Sequence, residues 1–128
     1  MDLGETLTVR NRDQWRRWLA THHQDKKEIW LVYFKKGSAK TGISYDQSVE
    51  EALAYGWIDG LTKRIDDDRY ACRFTPRKPK SNWSESNLAR LKKLLAEDRM
   101  APPGLALLPE QLKHSLPRLR GRVREGAL

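Results

Sequence analysis

"GWIDGLTKRIDDDRYACRFTP", residues 56–76, decides how the chain is read. Two strand-like runs, 57–65 and 70–76, flank the short polar stretch "DDDR", the signature of an antiparallel hairpin. In the second arm Tyr70, Cys72 and Phe74 fall on one face, with Ala71, Arg73 and Thr75 on the other, because side chains alternate along a strand. The first set is apolar and predicts a core face. Gly56 suits the left-handed ending of a preceding helix, and Gly60 suits a close approach by another backbone or a ligand.

Upstream, "EIWLVYF" (28–34) is apolar without alternation and rich in β-branched and aromatic residues, which predicts a central strand covered on both faces. Ser44 and Gln47 form a capping pair for a helix carrying Val49, Ala52 and Leu53 and ending at Gly56. Earlier still, "LTVRN" (7–11) reads as a short strand. Asn11 and Gln14 then open a helix over 12–23, with Trp15, Trp18, Leu19 and His22 on its buried face and Arg12, Arg16 and Arg17 turned toward water. "KKGSAKTG" (35–42) is a basic turn. Downstream, Pro76 and Pro79 end the second hairpin arm. Ser84 caps a helix reaching about Asp98, with Leu88, Leu91 and Leu95 inward, and Pro102-Pro103-Gly104 stops it.

The order β-α-β-α-β-β-α predicts an α/β fold of α+β-like character, a single small domain in which helices pack on a mixed, mostly antiparallel sheet. The domain is expected over 1–108. A basic, weakly ordered tail is expected over 109–128, with a short helix at 109–115.

Composition narrows the function classes. The chain has 128 residues, 33% of them charged, and no apolar run long enough to span a bilayer. The start "MDLGETLTVRN" lacks the pattern of a secretory signal, so a cytoplasmic location is expected. A single cysteine, Cys72, excludes an internal disulfide, and its place on the apolar side of a strand reads as packing. The net charge of +8 is lopsided. Residues 1–61 hold nine Lys/Arg and nine Asp/Glu, while 62–128 hold sixteen against eight. Such a field favours a polyanion or an acidic protein partner. His22 and His23 are adjacent and cannot share an ion in the usual helical manner, and Asp66, Asp67 and Asp68 lack the spacing of a calcium loop. No metal and no cofactor is expected.

Two places carry candidate chemistry. Asp59 lies between two glycines, where a carboxylate can act as a base or orient a partner, or can pair with Lys63, Arg73 or Arg77 to hold the hairpin. The stretch "FTPRKPKSNWSESN" (74–87) gathers Arg77, Lys78 and Lys80, two prolines, Trp83 and a helix start at Ser84. Cations, a flat ring and the unpaired N–H groups of a helix N-terminus suit an anion. Equally, Trp83 can tuck into the core while Ser84 caps its own helix.

From about Asp13 to Ala106 the chain resembles the YdeI/OmpD-associated, or bacteriocin-protection, proteins. The resemblance rests on "EIWLVYFKKGS", "ISYDQSVEEALAYGWIDG", "DDDRYACRFTPRKPKSNWS", Asn87 and "EDRMAPPGLA". It implies a small intracellular bacterial α/β protein linked by name to envelope stress and bacteriocin protection, without an agreed enzyme activity or cofactor. The matching positions are Gly56, Trp57, Asp59, Gly60, Arg73, Phe74, Pro76, Arg77, Ser81, Trp83, Ser84 and Asn87. After Ala106 the sequence departs from the pattern.

The leading expectation is a non-enzymatic binder of an anionic ligand or nucleic acid. Arg73, Arg77 and Lys80 would neutralise charge, Trp83 would stack, Ser81, Ser84 and Asn87 would donate hydrogen bonds, and Asp59 would lie at the edge. The alternatives are a small enzyme acting on an anionic metabolite, with Asp59 as general base and Arg77 as clamp, and a protein-interaction module using the basic tail.

Overall fold

A computed structural model describes residues 3–38, 42–79 and 81–115. Four strands form one sheet in the order β1-β2-β4-β3, built from β1 (Thr6–Leu7), β2 (Ile29–Phe34), β3 (Trp57–Arg64) and β4 (Arg69–Pro76). β1 runs parallel to β2, and both other pairings are antiparallel, so the sheet is mixed and mostly antiparallel. The hairpin and the central strand stand where the sequence puts them. The first strand is shorter and earlier than expected, because the chain must leave the sheet before Asn11 can cap the next helix.

Four helices accompany the sheet: α1 (Arg12–His22), α2 (Tyr45–Ala54), α3 (Glu85–Ala96) and the single turn α4 (Pro102–Leu105). The first three start at side-chain caps. Asn11 accepts from the Gln14 N–H, Ser44 and Gln47 make a reciprocal capping box, and Ser84 accepts from the Asn87 N–H. Gly56, at φ +77°, makes the left-handed turn from α2 into β3, and the Pro103 carbonyl lies 3.0 Å from where a Cβ would stand.

Ile29, Leu31 and Tyr33 of β2 and Cys72 and Phe74 of β4 share the face that meets Trp15, Leu19, Val49, Leu53, Leu91 and Leu94. The fully buried Trp15 indole donates to the Ser48 carbonyl at 2.9 Å, and the Tyr33 hydroxyl meets Ser48 Oγ at 2.6 Å, so neither polar tip is stranded. On the opposite face Trp30, Val32 and Ala71 are buried too, and the Lys63 ammonium lies 5.9 Å from the Trp30 ring centroid. This is the two-sided burial expected of "EIWLVYF".

Three local expectations need correction. Arg12 and Arg16 do not turn to water but fold back onto α2. The Glu51 side chain is wholly buried, and Arg12, Arg16 and Arg99 approach it to 2.6, 2.7 and 2.7 Å. Glu50 takes Arg12 and Lys93, each at 2.9 Å. Next, Pro102-Pro103-Gly104 begins a helical turn rather than merely ending one, because a proline in the first turn has no N–H to lose. Finally, packing continues past residue 108. The short helix expected at 109–115 is present, as a 3-10 helix over Glu110–Ser115, but its Leu112 joins the core. The tail from 116 onward and residues 39–41 of the basic turn lie outside the described residues.

Candidate functional site

The segment after β4 is tied down at its start, where the Arg77 N–H donates to the Gly56 carbonyl at 2.8 Å. The Arg77 side chain then curls over its own loop. Its Nη2 donates to the carbonyls of Ser81, at 3.0 Å, and Asn82, while the guanidinium carbon sits 3.6 Å from the Trp83 ring centroid. Ser81 Oγ closes the turn by donating to the Lys78 carbonyl at 2.8 Å. A cation stacked on an indole contributes about 0.5–2 kcal/mol, more as water is excluded. Arg77 is therefore a brace for the loop, and only Nη2 of its guanidinium is spent on those carbonyls.

What sets Arg77 apart is the absence of a carboxylate. Arg12, Arg16, Arg69, Arg73, Arg90 and Arg99 each reach an acid. Among the described residues Arg77 is the half-buried arginine with no such partner, and burial alone lowers its pKa from the ordinary arginine value. Its charge is held in place by the ring and two carbonyls, with no carboxylate among the described residues to neutralise it.

The other expected residues divide into two groups. Arg73 pairs with Trp30 across the sheet and meets the Glu28 carboxylate, whereas Asp59 lies opposite Phe74 on the helix-covered face. Asp59 and Arg73 thus stand on opposite faces and do not converge. Asp59 instead accepts a hydrogen bond from the Tyr45 hydroxyl, a partner at the first position of α2 that no local pattern signals. Burial and then the Asp59 carboxylate raise the Tyr45 pKa, so its phenol stays protonated and donating. Ser84 is occupied as the cap of α3. Asn87 Oδ1 accepts from Arg90 at 2.9 Å, and Arg90 also reaches Asp46 at 2.6 Å. The spacing of Asn87 and Arg90, one helical turn apart, was available in the sequence; the link to Asp46, across two helices, was not. Lys80 lies outside the described residues.

Beside the loop, a cavity of about 400 Å³ opens between Pro79, Ser81 and Trp83 on one side and residues 106–110 and Lys113 on the other. Its walls are Trp83, Pro79, Leu107, Leu108 and Pro109, with Ser81 as a polar group. At the rim Lys113 and Glu110 pair at 3.3 Å.

Cys72 is buried with its sulfur 3.8 Å from the Gly60 carbonyl, and burial pushes the thiol up to about 11, which suits packing and not nucleophilic attack. In the "DDDR" turn, Asp66 holds Arg69 and Asp67 holds Arg64. Among the described residues no group of three or more His, Cys, Asp or Glu side chains is placed to hold a metal ion, and no helix is long and apolar enough to cross a membrane.

Residues 7–107 match the model of a family described as a domain of unknown function, DUF8412. No curated protein and no solved structure matches the chain.

Proposed function

The chain belongs to the DUF8412 family, a domain of unknown function, and we propose that it binds a small anionic ligand at the 77–87 segment. The carrying observation is Arg77, a half-buried guanidinium fixed on the Trp83 ring with no carboxylate beside it. A preorganised cation loses little entropy on binding, and its fork suits the oxygens of a carboxylate or phosphate. Lys78 is exposed in the same loop, and α3 starts eight residues beyond Arg77. The likeness to YdeI/OmpD-associated proteins, carried by segments between about Asp13 and Ala106, is part of this proposal, and so is a cytoplasmic setting.

Nucleic acid is the second reading, favoured by the sixteen Lys/Arg against eight Asp/Glu in residues 62–128. The two separate by experiment. Binding of inorganic phosphate and of a short oligonucleotide is titrated against wild type, Arg77→Ala and Arg77→Lys at two salt concentrations. A small-anion site loses phosphate with Arg77→Ala and is only partly rescued by Arg77→Lys, which keeps the charge without the fork. A nucleic-acid surface shows steep salt dependence for the oligonucleotide, with a slope reduced by about one in Arg77→Ala. Wild-type binding by Arg77→Ala, with lowered thermal stability, reduces the residue to a loop brace and refutes the proposal.

A further inference from the structure

The cavity beside Trp83 says what else the ligand carries. Resting on the anion-binding reading above, we propose that the ligand is a planar, largely apolar ring system bearing one anionic group, its body seated in the cavity that Pro79, Ser81 and Trp83 form with residues 106–110 and Lys113. Trp83, two proline rings and two leucines give the chamber apolar walls, Ser81, Glu110 and Lys113 make the rest of its lining polar, and a bare phosphate or carboxylate leaves the apolar walls unused. A volume of about 400 Å³ falls within the usual range of small-ligand pockets, about 300–1,000 Å³, and such pockets are mostly apolar with a few placed polar groups.

The cation and the chamber are built into one wall. The Arg77 guanidinium stacks on Trp83 and donates to the Ser81 carbonyl, and Ser81 and Trp83 both line the cavity. Arg77 does not itself line the cavity; its fixed charge lies against the Trp83 ring and the Ser81 carbonyl, one residue layer from an occupant. Lys113, which lines the cavity, supplies a second cation. Its partner Glu110 is largely exposed, and exposed pairs are weak, so an incoming anion can displace that carboxylate. An anionic head with a flat body satisfies both features, whereas a neutral ring leaves Arg77 uncompensated and a bare anion leaves the chamber unfilled.

Isothermal titration calorimetry tests this with two planar anions and their fragments. The first set is adenosine 5′-monophosphate, adenosine and ribose 5-phosphate; the second is indole-3-acetate and acetate. At least one whole molecule binds wild type ten-fold or more tightly than each of its fragments. Ala106→Trp, which fills the chamber from an exposed position, removes that advantage but keeps the weak affinity for the anionic fragment. Arg77→Ala loses whole molecule and anionic fragment alike. The Trp83 indole N–H resonance, assigned with Trp83→Phe, shifts with the planar anion in the unmodified protein and gives a readout independent of the Ala106 variant's folding. If the anionic fragments bind as well as the whole molecules, or the Trp83 resonance does not move, the planar body is refuted and the anion site survives. If no anion binds wild type, the anion reading itself falls.

Discussion

Glu51 shows how much of this protein's stability is invested in single charged groups. Burial by itself raises its carboxyl pKa, but hydrogen bonds from Arg16, Arg99 and Arg12 outweigh that and leave it below the ordinary 4.5. Glu50 is lowered in the same way: burial opposes the shift, and Lys93 and Arg12 bring it about. For carboxyls depressed in the folded state, the stabilisation is complete above the unfolded value and is lost as pH falls through the folded one. We therefore expect stability to decline below about pH 4.5. Glu51→Gln should cost about 3 kcal/mol at neutral pH, because three arginines lose their shared carboxylate. The variant's acid limb should also be flatter. Urea unfolding between pH 3 and 7 checks both, and a variant with the wild-type acid profile would refute the assignment. None of this was legible in the sequence, since Arg12 and Arg16 reach partners 35 to 39 residues away and helical spacing reports only local neighbours.

At the scale of elements, starts were easier to read than ends. Asn11, Ser44 and Ser84 announce helices because a cap is a local event, one side chain accepting from an N–H three residues on. Where an element stops depends on what it meets. The turn at Pro102–Leu105 exists because Gly104 presses against the end of α2. A Cβ there would stand 2.2 Å from the Ala54 carbonyl oxygen, and the Ala101 N–H donates to that same oxygen at 3.0 Å. Gly104→Ala must push the two helices apart, and we expect a loss of about 2 kcal/mol or more, typical of overpacking, read as a lowered midpoint in thermal unfolding. Leu112 makes the corresponding case for the 3-10 helix. Leu112→Ala should cost about 2–4 kcal/mol. A chain cut after residue 109 should be less stable than one cut after 115, whereas equal stability of the two would show that Leu112 contributes nothing to the core.

Over the whole molecule, the sheet was legible and the site was legible only in part. Continuous apolarity marked β2, and the polar turn marked the hairpin, because both are decided by burial along one stretch of chain. With β1 on one side and β4 on the other, the β2 amides should be the last to exchange with deuterium. The grouping of Arg77, Ser81 and Trp83 in one loop was equally visible. That Asp59 and Arg73 face opposite ways follows from pairing, which strand alternation within one segment does not reveal. The same pairing carries an irregularity at the free edge. Between Asp59 and Thr62 the outer strand has two residues, Gly60 and Leu61, against the single Arg73 of β4, and Leu61 is 65% exposed. A sheet margin offers unpaired donors and acceptors to any other chain that can match its rhythm. Here the extra residue breaks that rhythm and keeps the edge that carries the exposed Leu61 from serving as a template for self-association. Deleting Leu61 would restore one-to-one pairing, and light scattering should then show a concentration-dependent rise in mass that the natural strand does not give.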